Sequence, residues 1–167
     1  MKPLLVCVLV LSLSAPVAFA GDKKGDISIS FSSDDSQTRL APRHVVREAR
    51  LAITTRNGDV VLLLTNDVVA VQLSDAALVK IDTKEDAGFF EDLIVSGVRL
   101  AVGKAVEYPI AKIRSAEIRN GVLALTNDQG KPVFDEIKVN GDNVTRSIAP
   151  ADAAKFVNAF RQIKSRR

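Results

Sequence analysis

The sequence predicts an α+β domain in which antiparallel β-meander sheets are combined with two helices. Short runs of β-prone residues are separated by turn pairs such as Asn57-Gly58, Asn66-Asp67 and Asn120-Gly121, which is the pattern of consecutive hairpins. Two longer segments, over 84–105 and from 150 onwards, instead carry apolar residues at helical spacing. Runs of strands followed by a helix are typical of an α+β fold.

The N-terminal residues 1–20 have the three parts of a secretory signal peptide. One positive charge at Lys2 precedes an apolar run from Leu4 to Leu13, and a polar segment then leads into Ala18-Phe19-Ala20. The apolar run is about half the roughly twenty residues that a transmembrane helix needs, and no later uncharged segment reaches that length. We therefore expect cleavage after Ala20 and a mature chain without a membrane span, located in the periplasm or secreted.

Residues 21–42 are predicted to be a flexible leader that contains one short strand. Apolar residues alternate with serines over 27–32, which is the period of a half-buried strand. The Ser/Asp-rich residues 32–42 are predicted to form a loop. Residues 43–167 then make a single α+β domain.

The first half of this domain has the pattern of a β-meander. Apolar residues alternate over 49–54, and β-prone residues follow over 60–64 and 69–73. The intervening Asn57-Gly58 pair is a strong hairpin signal, because both central residues of a two-residue turn need positive φ. A further short strand is predicted over 78–81.

A helix is predicted over 84–105, after a capping box formed by Asp82 and Glu85. Pro109 forbids its continuation. The apolar residues that recur at helical spacing are Phe90, Ile94, Val98, Ala101, Val102 and Ala105. This stripe gives the helix a face to bury against a sheet.

The second half repeats this plan. Strands are predicted near 110–119, 122–126, 133–139 and 143–148, around turns at Asn120-Gly121, 127–131 and Asn140-Gly141. Pro150 suits the first turn of a closing helix. The predicted buried stripe of that helix consists of Ala153, Phe156, Val157, Phe160 and Ile163.

Matching segments predict an internal duplication with halves at 49–106 and 107–167. Arg56-Asn57-Gly58 recurs as Arg119-Asn120-Gly121, and a Leu-Thr-Asn-Asp sequence occurs in both halves. The alternative is that hairpins reuse such pairs because turn geometry demands them. A true duplication would favour a binding cleft between the halves.

The stretch from Tyr108 to the C-terminus resembles the last strands and closing helix of pleckstrin-homology-like domains. The resemblance rests on strand order and on the capping helix over 108–167. It implies, as an alternative fold, a pleckstrin-homology-like barrel with a closing helix. No binding residues of this chain are inferred from the resemblance.

Composition argues against several kinds of site. Cleavage removes Lys2 and no acid, so 22 of the 23 basic residues remain against 20 acids, a formal charge of +2. Such a small excess does not favour nucleic acid as a partner. The only cysteine, Cys7, leaves with the signal and His44 is the only histidine, so we predict no metal site, no cofactor and no catalytic residues.

Arginines are the candidate ligand-binding residues, namely Arg43, Arg47 and Arg50. Together with Arg39 they are spaced by four, four and three residues, so a helix through this stretch would present a positive stripe, although Pro42 complicates it. Such a stripe would bind anionic groups of lipids, polysaccharide or an acidic protein. The alternative interpretation is a solvated face beside the first main strand.

These observations predict an exported, non-enzymatic domain that binds a protein or a component of the cell envelope. One alternative is a carrier of a lipid or small apolar ligand, with a pocket lined by Phe89, Phe90, Leu93 and Val98. Another is a hydrolase that uses acids alone, for which convergent carboxylates in a cleft would be the sign.

Overall fold

The computed structural model describes residues 37–82, 103–139 and 142–166. In chain order, its strands are β1 (Arg39–Pro42), β2 (Leu51–Thr54), β3 (Val60–Leu64), β4 (Val68–Leu73), β5 (Lys104–Pro109), β6 (Ile113–Arg119), β7 (Val122–Asn127), β8 (Lys138–Val139) and β9 (Asp142–Asn143). The helices are α1 (Asp75–Asp82) and α2 (Pro150–Lys164), with 3₁₀ turns at Val46–Glu48 and Ile110–Lys112. The predicted signal peptide, the strand over 27–32 and most of the predicted helix 84–105 lie outside the described residues.

A five-stranded antiparallel sheet forms the centre of the fold. Its strand order is β1-β5-β4-β3-β2, and the pairs β6-β7 and β8-β9 form two separate two-stranded sheets. β3 and β4 are buried along their whole length, as expected for strands of mostly apolar residues that are covered on both faces. The predicted α+β class, with antiparallel meander sheets and two helices, is confirmed.

The two faces of the five-stranded sheet bury different kinds of side chain. One face belongs to the main core, where Leu62, Val71 and Val106 join residues of α2 and of the β6-β7 hairpin. Side chains alternate along a strand, so Gln72 and Glu107 lie on the opposite face. That second face also carries a small apolar cluster of Val61, Leu63, Ala70 and Ala105.

The four predicted turns within the described ranges lie where the strands reverse, and the predicted Asn140-Gly141 turn lies outside those ranges. Asn120 and Gly121 have φ values of 52° and 78°, the two positive angles that a two-residue hairpin turn requires. Of the Asn57-Gly58 pair only Gly58 is left-handed, so β2 and β3 are joined by a longer turn than expected. Asn66-Asp67 connects β3 to β4, and residues 127–131 form the predicted turn after β7.

α2 closes the main core as predicted. Pro150 stands in its first turn, where the missing N–H of proline costs no helical hydrogen bond. The buried residues of α2 are Ala153, Phe156, Val157 and Phe160, and Ile163 is partly buried against the same core. The predicted stripe therefore packs as a unit against the sheet and the β6-β7 hairpin.

α1 occupies the place of the strand predicted over 78–81, so that prediction was wrong. The Ser74 hydroxyl accepts a hydrogen bond from the Ala77 N–H at 3.0 Å, and Asp75 adds a negative charge to the first turn. Both features stabilise a helix N-terminus. A run as short as 78–81 fits both the period of a strand and that of a helix. The hydrogen bond from the Ala77 N–H to the Ser74 hydroxyl favours the helix.

Two segments predicted as loop and as helix belong to the central sheet. Residues 39–42 form β1 instead of the end of a loop, and residues 104–105 begin β5 instead of ending a helix. β1 pairs with β5, so that Arg39 lies opposite Glu107. Local patterns did not indicate either strand, because each depends on a partner distant in the sequence.

Three of the four strands predicted in the second half are shorter than expected, whereas the strand predicted over 122–126 is β7 (Val122–Asn127). The strand predicted over 110–119 begins at Ile113, after the 3₁₀ turn that follows Pro109. The strands predicted over 133–139 and 143–148 are reduced to β8 and β9. Residues 144–147 form turns instead of strand.

The central sheet is open in the described part of the chain, where β1 and β2 are its edges and do not pair with each other. The barrel implied by the pleckstrin-homology-like resemblance is therefore not closed by this sheet. The strands are also shared unequally between the predicted halves. The internal duplication stays a prediction, because most of its first helix lies outside the described residues.

Candidate functional site

Arg43, the first of the predicted ligand-binding arginines, is engaged within the fold. Its Nη2 donates to the Leu73 carbonyl oxygen at 3.0 Å and to Asp75 Oδ1 at 2.7 Å. Its Nε is buried and has no hydrogen-bond partner in the described part of the chain. Arg43 thus ties the segment after β1 to the junction of β4 and α1.

Arg47 and Arg50 do not join Arg43 in one patch. Arg47 is exposed on the 3₁₀ turn Val46–Glu48. The Arg50 Nε donates to Asn66 Oδ1 at 2.8 Å, in the turn between β3 and β4. Arg43 and Arg50 are therefore anchored at opposite ends of β4, and the helix that would have aligned them is absent. Whether they bind a ligand stays a prediction.

A buried polar cluster lies on the second face of the sheet, close to Arg43. Glu107 is 4% exposed, and its two carboxylate oxygens lie 2.7 Å from Arg39 Nε and 2.6 Å from His44 Nε2. A buried carboxylate is stable only when such partners replace its water. His44, the only histidine of the sequence, is half-buried and contributes to this cluster.

Gln72 holds the backbone of His44 in place. Its Oε1 accepts a hydrogen bond from the His44 N–H at 2.9 Å, and its Nε2 donates to the His44 carbonyl oxygen at 3.1 Å. Because Gln72 is fully buried, both bonds are shielded from water. The cluster thus fixes the segment that crosses from β1 towards β2, and every polar atom just named already has a protein partner.

Two open cavities are lined in part by the turn residues Asn57 and Asn120. The first, which we call the basic cleft, has a volume of about 480 Å³ and is lined by Arg56, Asn57, Lys138, Asp142, Asn143, Arg146 and Ser147. The second, which we call the β7 groove, has a volume of about 520 Å³; among its lining residues are β7 itself, Arg119 and Arg146. Arg146 lines both cavities, so they are neighbours.

The side chain of Asn143 organises the turn that carries Arg146. Its Oδ1 accepts hydrogen bonds from the Thr145 hydroxyl at 2.7 Å and from the Arg146 N–H at 3.2 Å. Its Nδ2 donates to the Asp135 carbonyl oxygen. Such side-chain bonds replace a regular backbone ladder in tight turns. Arg146 is therefore presented from a structured turn at the boundary between the two cavities.

The end of β2 brings Arg56 to the same turn. Thr55 forms a β-bridge with Ile148, and the Arg56 N–H donates to the Ser147 carbonyl oxygen at 2.8 Å. These contacts join residues that are distant in the sequence. Arg56 and Arg146 consequently line one cleft, although neither was a predicted site residue.

The basic cleft carries excess positive charge. Arg56, Lys138 and Arg146 contribute three positive charges and Asp142 one negative charge, a balance of +2. No ion pair joins these three cations to another residue within the described ranges, whereas Arg43 is paired with Asp75. Unpaired cations that share a concave surface attract anionic groups. Of these three cations only Arg56 directly precedes an Asn-Gly pair in the sequence, so no shared local pattern indicates this cleft.

Arg119, at the end of the β7 groove, is held by an acid. Its Nε and Nη2 each lie 3.1 Å from Glu117 Oε2. The hydrogen bond and the positive charge of Arg119 lower the pKa of the Glu117 carboxyl below its ordinary value. The Glu117 carboxylate thus holds the Arg119 guanidinium beside the groove.

Replacing Asn143 with alanine is expected to lower the free energy of unfolding by about 2 kcal/mol, because it removes three hydrogen bonds that typically contribute roughly 0.5–1.5 kcal/mol each. Chemical denaturation of the purified protein measures this loss. Asn158→Ala, at an exposed position of α2, is the control and should be close to neutral. Equal stability of the two variants would show that Asn143 does not hold the turn.

No group of three or more His, Cys, Asp or Glu side chains suited to a metal ion occurs among residues 37–82, 103–139 and 142–166. Within the same ranges, no helix has the length and apolar character needed to cross a membrane. Comparisons of the chain with protein-family models, with curated proteins and with solved structures found no match.

Proposed function

We propose that this chain is an exported, non-enzymatic domain that binds an acidic group of a partner protein or of a cell-envelope component in the basic cleft. The observation that carries the proposal is the set of three cations, Arg56, Lys138 and Arg146, that line one cavity without an ion pair to another described residue. The signal-like sequence of residues 1–20 supports the exported location.

The chemistry of these side chains favours carboxylate, sulfate or phosphate groups. A guanidinium presents a planar array of donors that matches two oxygens of such an anion, while a lysine ammonium acts as a point charge. Arg56 and Arg146 are carried by segments that hydrogen-bond to each other through the Arg56 N–H and the Ser147 carbonyl oxygen. The fold therefore holds these two segments together before a ligand binds, which lowers the entropy cost of binding.

The two alternative functions have less support from the described residues. The pocket predicted for an apolar ligand would use Phe89, Phe90, Leu93 and Val98, which lie outside the described ranges. The hydrolase would need two carboxylates that act together, whereas, among the described residues, Asp142 is the one acid that lines the basic cleft, and Asp135 is the one acid that lines the β7 groove. Both alternatives stay predictions.

A charge reversal at Arg146 tests the proposal, with dextran sulfate as the probe. Arg146→Glu changes the local charge by two units, and each cation near an anionic surface contributes about 1 kcal/mol. The dissociation constant is therefore expected to rise about thirtyfold. Isothermal titration calorimetry at low ionic strength measures it, and added salt should weaken the binding of the unmodified protein.

Arg47→Glu is the matched control, because Arg47 is also an exposed arginine and belongs to the surface predicted from the sequence. It should change the dissociation constant only slightly. If Arg146→Glu left the dissociation constant for dextran sulfate unchanged and Arg47→Glu raised it, this result would falsify the basic cleft as the binding site. It would favour the arginine surface predicted from the sequence.

A further inference from the structure

The β7 groove follows the edge of a strand. Its lining includes the five consecutive β7 residues 122–126. A cavity over one face of a sheet touches alternate residues, because neighbouring side chains point to opposite faces. Contact with consecutive residues therefore indicates that the groove runs along the backbone edge of β7, on the side away from β6.

The register of the β6-β7 hairpin shows which backbone groups face this groove. Arg119 pairs with Val122 next to the two-residue turn, so Val122 exchanges hydrogen bonds with β6 and Leu123 directs its N–H and C=O outward. The same alternation holds further along the strand, since the Leu125 carbonyl oxygen accepts from the Val133 N–H at 2.9 Å on the outer side.

Among the described residues, the outer edge of β7 is paired at only one end. Thr126 forms a bridge with Pro132, and the chain then turns away at Phe134, whose φ is 64°. A left-handed conformation is unfavourable for a bulky residue, and it persists only when its surroundings require it. The departure at Phe134 leaves the Leu123 N–H and C=O without a hydrogen bond to another described residue.

The charged residues beside the unpaired part of the β7 edge favour an acidic ligand. Arg119 and Arg146 line this groove with one acid, Asp135. Arg119 is paired with Glu117, which does not line the groove, whereas Arg146 has no ion pair to another described residue. The buried side chains of Leu123 and Leu125 point into the core, whereas Val122 and Ala124 are half-exposed on the same face as Arg119. An added strand would thus meet apolar surroundings on one face and an arginine on the other.

We propose that the β7 groove binds an extended acidic segment of a partner protein, which adds to β7 as an antiparallel strand. The inference deepens the proposed function and rests on it, because Arg146 serves both cavities. An extended peptide supplies the N–H and C=O groups that the free edge can pair with, and alternate acidic side chains face Arg119. Every strand pair described in this fold is antiparallel, which sets the orientation.

A peptide of four Val-Glu repeats, acetylated and amidated at its ends, is the probe. In an antiparallel pair, residues directly opposite each other share a face. The peptide residue that exchanges hydrogen bonds with Leu123 is therefore a valine, since Leu123 faces the core, and the glutamates lie on the side of Arg119. N-methylation of the valines removes the donors that pairing requires, and N-methylation of the glutamates leaves them intact.

The full chain should bind the parent peptide and the peptide methylated at glutamate with similar dissociation constants. The peptide methylated at valine should bind about tenfold more weakly, the loss expected for one or two hydrogen bonds. Hydrogen exchange of the Leu123 amide should slow when the parent peptide is added and should be unaffected by dextran sulfate. Arg119→Ala should weaken the binding of the parent peptide and leave most of the binding of dextran sulfate intact.

Two results would overturn this inference while the proposed function stands. One is equal binding of both methylated peptides without protection of the Leu123 amide, because charge alone would then hold the peptide. The other is binding of dextran sulfate that depends on Arg146 with no binding of the peptide. Failure of both probes to bind would overturn the inference and the proposed function together.

Discussion

Replacing Gln72 with leucine is expected to lower the free energy of unfolding by about 3 kcal/mol. The change keeps the size of the side chain and removes both hydrogen bonds to the His44 backbone. Each buried donor or acceptor left without a partner costs roughly 1–3 kcal/mol, and the regained apolar burial offsets part of that cost. His44 also contacts Glu107, so its displacement would loosen the buried carboxylate as well.

Chemical denaturation monitored by circular dichroism measures the effect of Gln72→Leu. Gln162→Leu, at an exposed position of α2, is the matched control, since surface substitutions usually stay within about 0.5 kcal/mol. A loss below about 1 kcal/mol at Gln72 would mean that water or a shifted side chain satisfies the His44 backbone, and that the buried cluster does not hold this segment.

Replacing Phe156 with alanine is expected to destabilise the protein by about 4 kcal/mol, within the usual range for a buried phenylalanine. Phe156 has no exposed surface and belongs to the main core that joins α2 to the sheet and to the β6-β7 hairpin. Its loss removes apolar burial and opens a cavity that a packed core closes only in part.

Differential scanning calorimetry provides the measurement, and for a chain of this size the melting temperature should fall by roughly 8–16 °C. Phe156→Leu keeps most of the side-chain volume, so its melting temperature should fall by less than half as much as that of Phe156→Ala. This variant keeps the test informative if the alanine variant fails to fold. Asn158→Ala on the exposed side of the same helix is the control. A small effect at Phe156 comparable to that control would contradict the assignment of α2 to the core.

Local chemistry explains the parts of the fold that the sequence predicts. Asn120 and Gly121 adopt the positive φ values expected of a hairpin turn, and the α2 stripe is buried at helical spacing. Turn geometry and helical period depend on residues a few positions apart, so a single sequence contains them.

The errors in the predicted fold have a common origin. α1 was predicted as a strand because 78–81 is too short to distinguish the two periods, and β1 was predicted as loop because its partner β5 is distant in the chain. The polar Gln72 lies in an otherwise apolar strand, and its clamp on His44 becomes visible only when the two segments meet. Tertiary contacts overrode local preference in each case.

The candidate site depends on tertiary structure to a still greater degree. The spacing of Arg43, Arg47 and Arg50 predicted one stripe, but the absence of a helix separates Arg43 from Arg50, and both have partners within the fold. Arg56 and Arg146 meet because the end of β2 pairs with the turn before α2. The sequence by itself determined the α+β class, the turns and the closing helix, since these follow from local backbone and packing preferences. The tertiary structure decided which cations share a cleft, because such neighbours are set by strand pairing between distant segments.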